Sequence, residues 1–119
     1  MTPPGFRGTY RTDDDARGVY SEAAGIGRII PRAVAVPADE ADVVTLAAWA
    51  QTSHTPLIPR GAGSSMAGAA IGDGVVVDLS RLSTIGSIDP VTKRVWVGPG
   101  ATRDAVNAAA QAHGLWFPV

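Results

Sequence analysis

Leu57-Ile58-Pro59-Arg60-Gly61-Ala62-Gly63-Ser64-Ser65-Met66-Ala67-Gly68 is the stretch on which the reading of this chain turns. Two apolar residues lead into a run of small ones, and Gly74-Val75-Val76-Val77-Asp78-Leu79 follows a few positions later. The pattern predicts strand, tight loop, strand. Bulky side chains are nearly absent from the loop, so another group can approach its main chain closely. Successive backbone N–H groups in such a turn form a concave anion site suited to phosphate or pyrophosphate. Spacing rules out the two best-known phosphate loops. A Walker-type loop ends in Gly-Lys-Ser/Thr, whereas Gly63 is followed by Ser64. A dinucleotide fingerprint needs a third glycine at the position held by Met66, and Gly68 comes two residues late. A different pyrophosphate loop and a plain structural turn remain, and spacing alone does not choose between them.

Composition bounds the rest. With 119 residues, 45% of them hydrophobic, the chain suits one globular unit. Its net charge of −1, with both signs interspersed, argues against a nucleic-acid partner, which would select a basic stripe. Arg7, Arg11, Arg17, Arg28 and Arg32 lean the first third basic, but Asp13-Asp14-Asp15 sits among them. The absence of cysteine excludes disulfides and cysteine-ligated metal or iron–sulfur centres within this segment. No stretch approaches the roughly 18 apolar residues of a membrane span. The first residues lack the basic-then-apolar layout of a secretory signal, so a cytoplasmic location is the default expectation. Gly114-Leu115-Trp116-Phe117-Pro118-Val119 is the most concentrated bulky apolar run. Natural ends are usually polar and mobile, so the chain is expected to continue into something that buries this run.

Local signals predict the elements. Thr12 followed by three aspartates starts a helix that would run to about Ala24. Ile29 to Pro37 reads as extended, with its two prolines placing it at a sheet edge or in a linker. Asp39 opens a second helix, with Val43, Leu46, Ala47 and Ala50 as its apolar face, fading near Thr52-Ser53-His54 because Thr55 precedes Pro56. Leu57-Ile58 and Gly74 to Leu79 are strands, the second buried on both faces. Ser87 to Asp89 and Arg94 to Val97 read as a hairpin with Val95 and Val97 inward. Thr102 caps a last helix running to His113, with Gly114 as its stop.

Five segments then match one family in register. Ala33-Val34-Ala35-Val36-Pro37, the glycine loop, Val77-Asp78-Leu79-Ser80-Arg81-Leu82, Val97-Gly98-Pro99-Gly100-Ala101 and Gly114-Leu115-Trp116-Phe117-Pro118 resemble the FAD-binding domain of the vanillyl-alcohol oxidase and p-cresol methylhydroxylase (PCMH) type. Phe6-Arg7-Gly8, Arg11-Thr12-Asp13-Asp14 and Tyr20-Ser21 look like the start of bacterial FAD-linked dehydrogenases of D-2-hydroxy acids such as lactate, glycolate or 2-hydroxyglutarate. The resemblance implies an α+β fold, the N-terminal half of such a domain, with residues 1–28 as a helical extension and 29–119 as the partial cofactor domain.

It also implies roles. Arg60, Gly61, Ala62, Gly63, Ser64, Ser65, Met66 and Gly68 would wrap the FAD pyrophosphate, mainly through the amides of Gly61 to Ser65. Ser64 and Ser65 would add hydroxyl donors. Pro37 would line the adenine side, and Pro118 would open a second cofactor-contacting segment. Some relatives carry a flavin-linked histidine where this chain has Ser64, so FAD is expected to be noncovalent. Family members continue with a Gly-Gly flavin segment and a substrate cap. The catalytic residues, and any iron–sulfur part, would therefore lie downstream, and this chain alone is expected to be inactive and to hold FAD weakly. The implied partners are a small 2-hydroxy acid and an electron acceptor. A sugar-nucleotide-reducing flavoenzyme of the same fold and a non-catalytic domain with a purely structural loop are the alternatives.

Plainer roles stand beside these. Arg60 is either a cation facing the cofactor or a salt-bridge partner. Asp78 reads as a turn acceptor rather than a general base. His54 and His113 sit at helix ends, where imidazoles are commonly solvated, and neither has a second ligand at metal spacing. Trp49, Trp96 and Trp116 read as packing residues, and the Asp13–Asp15 run as a helix start.

Overall fold

Three parallel-compatible apolar segments and one short polar strand make the sheet of this computed structural model, which describes all 119 residues. Seven elements follow along the chain: β1 (Thr9–Arg11), α1 (Asp14–Val19), β2 (Ala33–Val36), α2 (Glu40–Ser53), β3 (Leu57–Arg60), β4 (Val75–Asp78) and α3 (Arg103–Gln111). The sheet order is β1-β2-β4-β3. Strands β2 and β3 both lie parallel to β4, with Val34 opposite Val76 and Arg60 opposite Asp78, and β1 closes the edge antiparallel to β2.

Burial follows the period-2 alternation of a strand. Ala33, Ala35, Val75 and Val77 point to one face and form the core with Leu46 of α2 and Phe6. Tyr10 and Trp49 pack against it, with Phe6–Tyr10 and Tyr10–Trp49 ring pairs edge to face at 6.3 and 6.2 Å. Val34 and Val76 serve the opposite face and are equally buried, as the unbroken valine run of β4 requires.

Several expectations need correction. The first helix is six residues long, not thirteen: Asp13 rather than Thr12 caps it by accepting the Ala16 amide, and Tyr20 ends it. Residues beyond Tyr20 instead form an isolated antiparallel bridge between Glu22 and Arg28. Strand β1 was not foreseen. Three residues carry too little periodicity to show, and its pairing partner lies more than twenty positions later. Strand β2 is interior, not an edge; Pro31 and Pro37 stand outside its bonded residues, so neither removes a ladder donor.

On α2 the buried residues are Asp42, Leu46 and Ala50, while Ala47 is exposed and Val43 half-buried. The helix starts at its Asp39 cap and stops at His54, which takes the left-handed conformation. The expected hairpin reduces to two isolated bridges, Ile85–Val97 and Asp89–Arg94. Ile85 and Asp89 are four residues apart but Val97 and Arg94 only three, so the register slips between the bridges and no ladder forms. Val95 is half-buried there and Val97 exposed. Thr102 caps α3 through the Ala105 amide as expected, but the helix ends at Gln111 rather than His113, with Ala112 as its C-cap and Gly114 turning left-handed two residues later.

Candidate cofactor site

The glycine loop leaves the end of β3 and returns to β4, so its ends are held by paired strands. Its amides are its main chemical feature. The N–H groups of Gly61, Ala62, Gly63, Ser64, Ser65 and Met66 donate to no backbone or side-chain acceptor in the protein. Gly63 is left-handed, with φ of 72°. A left-handed residue inside a turn brings successive N–H groups toward one concave side, the arrangement that binds anions.

The loop is nevertheless held from behind. The Ala24 amide donates to the Gly63 carbonyl at 3.0 Å. A Cβ on Gly25 would stand 2.5 Å from the Met66 carbonyl oxygen, so the two backbones touch. The Ser65 hydroxyl accepts the Ala69 amide at 3.2 Å, which leaves its own hydrogen free. Beneath the loop, Arg60 Nη1 donates to the Glu22 and Ala70 carbonyls at 2.8 and 3.4 Å, and the guanidinium lies 5.1 Å from the Tyr20 ring centroid. Arg60 thus makes no ion pair; it braces the loop through carbonyls, which neither sequence alternative described.

Tyr20 and Asp78 complete this underside. The Tyr20 hydroxyl donates to Asp78 Oδ2, and Asp78 Oδ1 accepts the Ser80 amide at 2.9 Å, the turn role expected of it. Burial, and then the Asp78 carboxylate, push the Tyr20 hydroxyl up to about 12. Burial also pulls Asp78 upward, but the Tyr20 hydroxyl, Ser80 and the Arg60 charge outweigh it and hold the carboxyl below its ordinary range.

One cleft is reached by the loop and a second lies beyond the Val97–Pro99 segment. The first, of about 560 Å³, is walled by Ser64, Val97, Thr102, Arg103, Phe117 and Val119. The other, of about 650 Å³, runs from Ala38, Asp39 and Glu40 past Arg81 and Thr84 to Val97 and Pro99. Val97 lines both, and the Pro99 carbonyl lies 3.7 Å from where a Gly61 Cβ would stand. The two clefts thus meet at Val97, one reached by Ser64 and the start of α3, the other by the start of α2, and together they form a trough beside the loop.

Of the expected loop residues, Ser64 lines the trough, with Phe117 and Val119 on either side of Pro118, and Gly61 lies beside Pro99 at its edge. Asn107, buried on α3, pins this last segment by accepting the Phe117 amide at 2.7 Å. Pro118 is exposed between two trough residues. Met66 and Gly68 lie farther round the loop, Met66 exposed and Gly68 left-handed with φ of 87°. Pro37 is fully buried, and its successors Ala38 and Asp39 present the surface there. Trp96 and Trp116 are 89% and 70% exposed, so of the three tryptophans only Trp49 packs in this chain. The bracing residues Tyr20, Ala24 and Gly25 and the anchor Asn107 escaped sequence reasoning. The one legible signal was a lone polar Asn107 inside the run Ala105 to Ala110.

Comparison with known proteins identifies the family. A family model described as FAD binding domain matches residues 31–119. The chain belongs to that family, and its cofactor is FAD. It is 37% identical over 117 residues to D-2-hydroxyglutarate dehydrogenase of Pseudomonas putida, covering 95% of this chain and 12% of that protein. It is 28% identical over 108 residues to glycolate oxidase subunit GlcD of Escherichia coli, covering 89% of this chain and 22% of that protein. Among solved structures, 6-hydroxy-D-nicotine oxidase of Arthrobacter nicotinovorans superposes with a TM-score of 0.74 at 25% identity, covering 92% of this chain and 25% of that one. The expected α+β fold of a flavin-binding domain is borne out. The chain spans less than a quarter of the length of either curated relative. No helix is long and apolar enough to cross a membrane.

Proposed function

We propose that this chain supplies the diphosphate grip of an FAD-dependent oxidoreductase acting on a D-2-hydroxy acid, with the cofactor held noncovalently. The observation that carries the reading is the set of six free amides, Gly61 to Met66, on a loop whose carbonyl and flanks are otherwise tied down. Donors that need no reorganisation suit a diphosphate, whose charge they meet at fixed positions. The Ser64 and Ser65 hydroxyls add two more donors, and Arg60 places a cation under the loop without spending it on a carboxylate. Pro37 acts by fixing the end of β2, so that Ala38 and Asp39 border the adenine side of the trough. Phe117 and Val119, held beside Pro118, wall the trough opposite Ser64.

Held by this loop, FAD would supply the hydride acceptor for oxidation of the substrate's hydroxyl-bearing carbon. This chain's residues orient and retain the cofactor and take no part in proton transfer. The substrate class is supported by the names of the two curated relatives, since 2-hydroxyglutarate and glycolate are both 2-hydroxy acids.

Replacing Gly61 with valine tests the grip. A Cβ there makes only ordinary contact, with the Pro99 carbonyl at 3.7 Å, so the fold should survive while the added bulk crowds the loop's approachable main chain. In the gene product carrying this sequence, FAD affinity should fall at least about tenfold at unchanged melting temperature, roughly the loss of one charge-assisted hydrogen bond. Unchanged FAD affinity would sink the reading. Anaerobic bleaching of the flavin by D-2-hydroxyglutarate, D-lactate or glycolate tests the substrate class, and no bleaching by any of them rejects it.

A further inference from the structure

We propose that Tyr20 and Asp78 are positioning residues for the glycine loop, acting through Arg60 to hold its amides in their diphosphate-binding arrangement. This rests on the loop being the FAD diphosphate site. The chain of contacts starts at a rigid place. Asp78 is the last residue of β4, in register with Arg60 at the end of β3 and tied to the Ser80 amide. It accepts the Tyr20 hydroxyl, which fixes the ring, and the ring lies against the Arg60 guanidinium. The guanidinium in turn occupies the space beside Gly63, with Nη2, Cζ and Nε 2.6 to 3.0 Å from where a Cβ would stand. Gly63 is the left-handed residue that sets the direction of the neighbouring amides.

The order of partners matters. Asp78 and Arg60 face each other across two paired strands, yet no carboxylate forms an ion pair with Arg60. Tyr20 stands between them in function: its hydroxyl occupies the carboxylate, and its ring face attracts the cation. A carboxylate paired directly with Arg60 would neutralise the charge and draw the side chain away from Gly63. With Tyr20 in place, Arg60 donates only to the Glu22 and Ala70 carbonyls and keeps its charge beneath the loop. The hydroxyl's upward shift to about 12 keeps it a donor throughout any working pH range. The same Tyr20 also starts the segment whose Ala24 amide holds the Gly63 carbonyl, so the front third of the chain forms the back of the site.

A purely structural role would weaken every ligand of the fold alike; a positioning role acts on the diphosphate. The test therefore compares FAD with riboflavin, which has no phosphate, by fluorescence titration of the apo form of the gene product. Tyr20→Phe keeps the ring and removes the hydroxyl. It should weaken FAD about tenfold, as loss of one hydrogen bond to a charged group implies, and leave riboflavin unchanged. Asp78→Leu should match it, whereas Asp78→Asn, which keeps an acceptor, should recover most of the affinity. Wild-type FAD affinity in both Tyr20→Phe and Asp78→Leu overturns the proposal, and so does an equal loss of FAD and riboflavin. Gly61→Val separates the two claims: if it weakens FAD while Tyr20→Phe does not, only the positioning role fails, and if neither does, the diphosphate site fails with it.

Discussion

Asp42, buried on α2, accepts the main-chain N–H of Arg7 at 3.0 Å across 35 residues of sequence. Its other oxygen accepts the Ala38 amide at 2.9 Å, so one carboxylate joins the N-terminal segment, the end of β2 and the second helix. Burial pulls this carboxyl upward, but the Ala38, Arg7 and Gly8 amides and the Arg7 charge prevail and hold it below its ordinary range. Asp42→Ala strands these donors and should lower the melting temperature more than Asp39→Ala, whose carboxylate is half-exposed. Thermal unfolding followed by circular dichroism ranks the two.

Gly63→Ala places a methyl against the Arg60 guanidinium and forces an L-residue to hold a φ of 72°. The backbone term alone costs about 1–2 kcal/mol. The variant should therefore be measurably less stable in urea titration, in contrast to Gly61→Val, and should also bind FAD more weakly.

Adjacent positions on α2 should differ sharply. Leu46 is 1% exposed in the centre of the core, and Leu46→Ala should cost about 2–5 kcal/mol by equilibrium denaturation. Ala47 is exposed, and Ala47→Gln should stay within about 0.5 kcal/mol.

Asp13 is held at about 2, first by its hydrogen bond from Arg11 and then by the Ala16 amide it caps. Its unfolded value is near 3.9, so the folded state favours the ionised form. That contribution is complete above about pH 4 and is lost as pH falls toward 2. Asp39, Asp73 and Asp89 are lowered as well and act in the same direction. Stability should decline on acidification through this window, and Asp13→Asn, which keeps the cap but not the titrating charge, should decline less. Melting temperatures recorded between pH 6 and pH 2 decide this.

Much of the fold was legible because its signals are local. Asp39, Thr102 and Gly114 mark helix ends by capping chemistry that depends on three or four neighbouring residues. The triple valine of β4 announced burial on both faces, and the loop's small residues announced an approachable main chain. Errors arose where distance ruled. Strand β1 exists only through pairing with β2, and the helix expected over residues 12–24 stops at Val19. The residues after it serve Gly63 and Arg60 instead of the helix ladder.

By itself, the order of residues determined which phosphate loops are excluded, since glycine spacing and the missing lysine set which phosphate geometries a short loop can offer. What only the tertiary structure decided is what holds that loop. Tyr20, Glu22 and Ala24 reach it from some forty positions upstream, and Arg60 turns inward to meet them. A loop's own composition governs which conformations it can reach, whereas the one it keeps is selected by contacts from chain segments that no local pattern connects to it.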